Sequence, residues 1–270
     1  MTNSTDTPGE CLPLLAPVVS MTVAAGERLN ALFSPEARPA SRAEMFAALE
    51  RNDEAVLGEL RNDLTELRPQ AKWIEEDQKA TSPASGEWWA VDAVEGNVNH
   101  VHGLPDWGVT VTLIRDQEPV LTVVRQPVGD LTYSAVRGSG AHLNGSRLHV
   151  SAKTDLQDAI VATGQAEAGQ EDTYRRIGDS ITAMLGKALL VRASVPSTFP
   201  MLLVAAGHHD VFWQYAPVLL GVAAGILIVT ESGGRVTQID GSPWRLGSPD
   251  ILVTTPALHQ ASMDALAIAA

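Results

Sequence analysis

Asp92 and Glu95 are the residues of this chain best placed to do chemistry. They stand in the turn Asp92-Ala93-Val94-Glu95-Gly96-Asn97, directly after the apolar Trp88-Trp89-Ala90-Val91 and before an alternating pattern over residues 109–114. Carboxylates beside tryptophan are costly unless something compensates them. With residues 88–91 as a strand, both acids project from the turn that follows, and Gly96 lets the backbone bend and come close to a ligand. Asn97-Val98-Asn99 can then open a short helix whose free N–H groups hold an anion. A hard cation on the carboxylates, opposite a phosphate on those N–H groups, suits this spacing. A surface turn with solvated acids fits it as well.

The elements that must position this turn follow from periodicity. Residues 14–33 carry Val18, Met21, Val23, Ala24, Leu29 and Leu32 at helical spacing, and Pro35 and Pro39 break the pattern. Residues 45–67 return to it through Phe46, Leu49, Val56, Leu57, Leu60 and Leu64 as a long charged helix. Residues 109–114, 120–126 and 131–136 read as period-two strands, with Asn144-Gly145 closing a hairpin. Beyond a junction at 151–158, strands are expected at 160–163, 188–191, 210–213 and 235–239, and helices at 173–185, 199–207 and 218–232. Two α/β halves result, divided as 1–150 and 151–270, with no internal repeat.

Composition narrows the function classes. A formal net charge of −13, from 19 Lys+Arg against 32 Asp+Glu, argues against nucleic acid or an anionic membrane as partner. Cys11 is the single cysteine, so no intrachain disulfide or thiolate metal cluster forms. The first ten residues lack a basic region, and the apolar run 216–229 is short for a bilayer span; a cytoplasmic protein is expected.

Two motifs resemble those of the inositol monophosphatase family, magnesium-dependent phosphatases. The family reads W-x-x-D-P-I-D-G-T-x-N-F-x-x-G-x-P where this chain has Trp89 through Pro105, and W-D-x-A-A-G-x-x-I-x-x-E-A-G-G where it has Leu220 through Gly234. The resemblance implies a layered αβαβα sandwich of two intimately packed α+β halves, a small-molecule substrate and a possible homodimer. It implies Mg²⁺ ligands at Glu75, Asp92, the Val94 carbonyl and Glu95. It also puts phosphate at Gly96 and Asn97, substrate contacts at Ser197 and Gln214, and a site-proximal acid at Asp53.

Four departures from the family fall on the expected site. The Asp of the second motif is Gly221, so one metal site is weakened or lost. Glu95 replaces Asp and reaches about 1.5 Å further. Asn97 replaces a threonine whose hydroxyl positions water, and Gln214 replaces a glutamate of inositol-specific members. The three acids Glu75, Asp92 and Glu95 are nonetheless expected to converge. Two such charges about 5 Å apart at an effective dielectric of about 20 repel by about 3 kcal/mol, so the cluster holds a cation or a proton. A retained proton would make one carboxyl a general acid or base near neutral pH. His100, where the family has Phe, is a candidate partner in that work.

Three functions are therefore in view. The first is a repurposed biosynthetic enzyme using Glu75, Asp92, Glu95 and His100 for cyclisation, isomerisation or dehydration. The second is a Mg²⁺-dependent phosphomonoesterase for an inositol phosphate, nucleotide bisphosphate or sugar phosphate. The third is a non-catalytic binding protein.

Overall fold

The computed structural model describes residues 9–74 and 85–267. Its first layer is a pair of helices whose apolar residues recur at helical spacing. Helix α1 (Leu12–Asn30) has Pro13 in its first turn, where a missing N–H costs nothing, and buries Val18, Ala25 and Leu29. Helix α2 (Arg42–Leu67) starts at Ser41, whose side chain accepts from the Glu44 N–H, and buries Val56, Leu60 and Leu64 every fourth residue. By length and composition alone α1 could cross a membrane, so residues 216–229 are not the chain's only long apolar stretch. Here α1 lies on α2 and on the first sheet.

That sheet joins seven strands in chain order: β1 (Lys72–Trp73), β2 (Glu87–Glu95), β3 (Gly108–Arg115), β4 (Glu118–Gln126), β5 (Leu131–Val136), β6 (Gly140–Leu143) and β7 (Ser146–Arg147). β1 runs parallel to β2 and the other neighbours are antiparallel. The alternation at 109–114 does not mark a wet and a dry face. Every residue from Gly108 to Ile114 is buried, because helices cover both sides, and Thr112 and Thr122 bond hydroxyl to hydroxyl at 2.8 Å.

The second sheet has the order β11-β12-β10-β8-β9, from β8 (Ile160–Thr163), β9 (Leu190–Ala193), β10 (Val211–Tyr215), β11 (Arg235–Thr237) and β12 (Asp250–Thr254). Helices α5 (Thr198–Ala205) and α6 (Leu219–Glu231) fill the space between the sheets, with Phe199, Met201, Val222 and Ile228 in one core with Val124 and Phe212. Helices α4 (Glu171–Leu185) and α7 (His259–Leu266) cover the outer face around Trp213, Met184 and Leu258. The layers therefore run αβαβα, as the resemblance implied.

Three details differ from expectation. β9 begins two residues later than 188, and neither β12 nor α7 was anticipated. The β12 sequence, Asp250-Ile251-Leu252-Val253-Thr254, is five residues of uniformly buried chain, too short for periodicity to separate strand from helix.

Candidate active site

Strand β2 carries the acidic turn, and a bulge in it decides where the acids point. Asp92 pairs with Thr110 and Glu95 with Gly108, so three steps on β2 answer two on β3. In a regular strand residues three apart face opposite sides; the extra residue returns both carboxyls to one side. One oxygen of Asp92, Oδ1, accepts from the Val94 N–H at 3.0 Å and holds the bulge. Helix α3 (Asn97–Val101) follows at once, after Gly96 in the left-handed region at φ 77°.

Glu95 is 2% exposed and lies against Asp92 and the Thr198 hydroxyl, and its Oε2 has no hydrogen-bond partner. Burial first, then the neighbouring Asp92 carboxylate, push the Glu95 carboxyl well above the usual range. Thr198 also donates to the Gly221 carbonyl at 3.0 Å, which links the acidic turn to the first turns of α6. At Gly221 an added Cβ would meet nothing within 4 Å. The site thus lies where β2, α3, α5 and α6 come together.

The raised carboxyl has a consequence for stability. The folded state holds the Glu95 proton more tightly than the unfolded chain, so its contribution is full below the unfolded value and is lost as pH rises through the folded one. In chelator-treated protein the thermal midpoint is expected to fall with rising pH above the ordinary glutamate range, and Glu95→Gln to flatten that slope. Parallel slopes in thermal unfolding of the two proteins would place the proton elsewhere.

Loops are fastened around the turn by amides. Asn99 donates from Nδ2 to the Asp106 carbonyl at 2.8 Å and to the Val195 carbonyl at 2.9 Å. Gly96 packs so closely that a Cβ there would lie 2.5 Å from the Asp106 oxygen and 3.1 Å from Pro196 Cγ. Ser197 donates to Gln214 Oε1 at 2.6 Å, and Gln214 donates to the Gln165 carbonyl at 3.3 Å. Both ends of the buried Gln214 amide are thus engaged by protein, which makes it a support for the Ser197 loop before it is a substrate contact.

The structure brings together Asp92, Val94, Glu95, Gly96 and Thr198, and fastens Ser197 beside Gln214. Asp53 stands near Asn97, with Asn97 Nδ2 at 3.5 Å from Asp53 Oδ1. His100 goes elsewhere, which corrects its expected role. Its ring is 3% exposed between Phe33 and Trp107, its Nδ1 meets Asn52 at 2.9 Å and its Nε2 the Leu29 carbonyl at 3.1 Å. Burial lowers its pKa, and no ring nitrogen remains for acid–base work. Glu75, and its neighbour Glu76, lie outside the described residues.

Sequence reasoning gave no side-chain role to Thr198 or Asn99 and did not name Asn52. Asn52 left a signal: with Leu49, Val56 and Leu60 it occupies the apolar stripe of α2, and a buried amide there demands polar partners.

Oxygen donors dominate the site, which fits a hard cation such as Mg²⁺. The unpartnered, buried Glu95 Oε2 beside Asp92 is the observation that calls for one. Among the described residues no three acidic, His or Cys side chains converge.

Comparison with known proteins gives a family and a fold. The model of the "Inositol monophosphatase family" matches residues 13–269. A Rhizobium meliloti relative named inositol-1-monophosphatase is 31% identical over 209 residues, 76% of this chain and 77% of its own. A Solanum lycopersicum relative named inositol monophosphatase 2 is 33% identical over 220 residues, 76% of this chain and 80% of its own. The solved structure of an inositol monophosphatase from Anabaena has a TM-score of 0.79 over 95% of this chain and 96% of its own, at 22% identity, a likeness of fold.

Proposed function

This chain belongs to the inositol monophosphatase family, and on that premise we propose that it is a magnesium-dependent phosphomonoesterase for a small phosphorylated molecule. The carrying observation is the buried Glu95, its Oε2 unpartnered, against the half-buried Asp92, beside a glycine turn closed over by the Ser197 loop. Asp92, Glu95, the Val94 carbonyl and Glu75 would hold Mg²⁺. Bound there, the ion supplies Lewis-acid polarisation of a phosphate oxygen and a more acidic water.

The remaining tasks fall to the chain itself. The backbone N–H groups of Gly96 and Asn97 would receive phosphate oxygens at the mouth of the turn. Ser197, held by Gln214, would line the side of the leaving alcohol. Asp53, beside Asn97, would orient the attacking water.

A second reading, an acid–base reaction without phosphate release, draws on one feature: burial and the neighbouring Asp92 carboxylate push the Glu95 carboxyl well above the usual range. The phosphatase reading takes precedence because the same pair serves it without a change of reaction and the relatives carry phosphatase names.

The test is phosphate release from inositol phosphates, adenosine bisphosphate and sugar phosphates, with millimolar Mg²⁺ or with chelator. Release that requires Mg²⁺ is the expected result; no release above background from any of them removes the reading. Gly221→Asp belongs in the same assay. Its side chain enters open space, and a further carboxylate contributing about 1.4 kcal/mol would tighten Mg²⁺ about tenfold. An unchanged Mg²⁺ dependence would mean that residue 221 does not face the ion.

A further inference from the structure

The side chains of Asn52, Asn97 and His100 form one hydrogen-bond chain whose direction is fixed at both ends by groups that can only accept. At one end the Leu29 carbonyl takes a hydrogen bond from His100 Nε2 at 3.1 Å, so Nε2 carries the ring's proton. Nδ1 is then an acceptor, and Asn52 must present its NH₂ to it, at 2.9 Å. The second hydrogen of that NH₂ goes to Asn97 Oδ1 at 2.8 Å. Asn97 is thereby turned with its own NH₂ outward, toward the Leu49 carbonyl at 3.2 Å and Asp53 Oδ1 at 3.5 Å. Leu49 O, again acceptor only, demands that same orientation.

Reversing any one amide therefore sets two acceptors face to face. Asn52 is 4% exposed and His100 3%, so water cannot repair the mismatch. The groups packed on the His100 ring are the Leu29 carbonyl from α1, Asn52 from α2, and the rings of Phe33 and Trp107. Asp53 is the charged residue at the chain's outer end.

We propose that Asn52 and His100 are positioning residues that set the direction of the Asn97 amide and, through it, hold the Asp53 carboxylate at the mouth of the acidic turn. The effect on turnover rests on the phosphatase reading above; the orientation of Asn97 does not. A threonine at position 97 would escape this control, because a hydroxyl donates and accepts by rotating.

His100→Phe is the informative variant, since it keeps a ring between Phe33 and Trp107 while removing both nitrogens. In ¹⁵N-edited NMR spectra the Asn97 side-chain amide is expected to shift and broaden, while that of Asn99, bonded elsewhere, stays in place. An unmoved Asn97 amide overturns the proposal whether or not the protein releases phosphate. In kinetics, His100→Phe should lower kcat about tenfold at constant KM, the scale of a slightly misplaced reacting group. In the Asn97→Thr background the same change should cost about twofold or less, a coupling that a double-mutant cycle reads. Equal losses in both backgrounds would reduce His100 to packing. If His100→Phe does not fold, Asn52→Asp keeps the side-chain size, replaces the donor with an acceptor, and should give the same NMR and kinetic pattern. A wild-type protein without phosphatase activity, but with the coupled NMR change, would sink the function and leave the positioning intact.

Discussion

Asp92→Asn should abolish Mg²⁺-dependent phosphate release and leave the protein folded. A bound cation contributes several kcal/mol of transition-state charge stabilisation; losing about 4 kcal/mol of it lowers the rate by on the order of a thousandfold. The variant is informative because Asp92 has two tasks that the amide separates. Oδ1 can still accept from the Val94 N–H, which keeps the bulge. The new NH₂ faces Glu95 and can donate to it, so an ionised Glu95 gains a partner where it had a repelling neighbour. Thermal unfolding should therefore show the metal-free variant at least as stable as the parent, with the stabilisation by added Mg²⁺ gone. Persistent Mg²⁺-dependent turnover would remove Asp92 from the site.

Gly96→Ala should be strongly destabilising. Two costs add: a left-handed φ of 77° and a Cβ placed 2.5 Å from the Asp106 carbonyl and against Pro196. The conformational part is about 1 kcal/mol, and the clash is with backbone that Asn99 holds in place, so the total should exceed about 3 kcal/mol. For a chain of this size that is roughly 6–12 °C in thermal midpoint. Gly221→Ala is the matched control. It lies within α6 with open space around the new Cβ, and should be neutral or stabilising by up to about 1 kcal/mol. Similar midpoints for the two variants would contradict the close packing described at Gly96.

The acidic turn was legible because Asp92 and Glu95 interrupt an apolar strand, and a carboxylate there needs a reason. Their facing was not: residues three apart on a strand point apart, and only the bulge against Thr110 and Gly108 reverses that. His100 shows the opposite error. Five residues from Glu95 in the chain, it turns with α3 toward α1, and its partner Leu29 lies 71 positions away, beyond any local signal. Asn52 could have been found from its place in an apolar stripe. The elements were legible in the long periodic helices and the hairpin at Asn144-Gly145, whereas their layering followed from the resemblance of the two motifs. β12 escaped because a strand buried on both faces has no period to read.

Asn99 carries a lesson for anyone redesigning substrate choice on this scaffold. Its single NH₂ clasps two loops that are distant in the chain, at Asp106 and Val195. A transplanted loop must therefore bring a backbone carbonyl to position 195, whatever side chains it carries, or the clasp opens and Gly96 loses the wall it leans on. Specificity in this frame is exchanged as loop conformations more than as single residues.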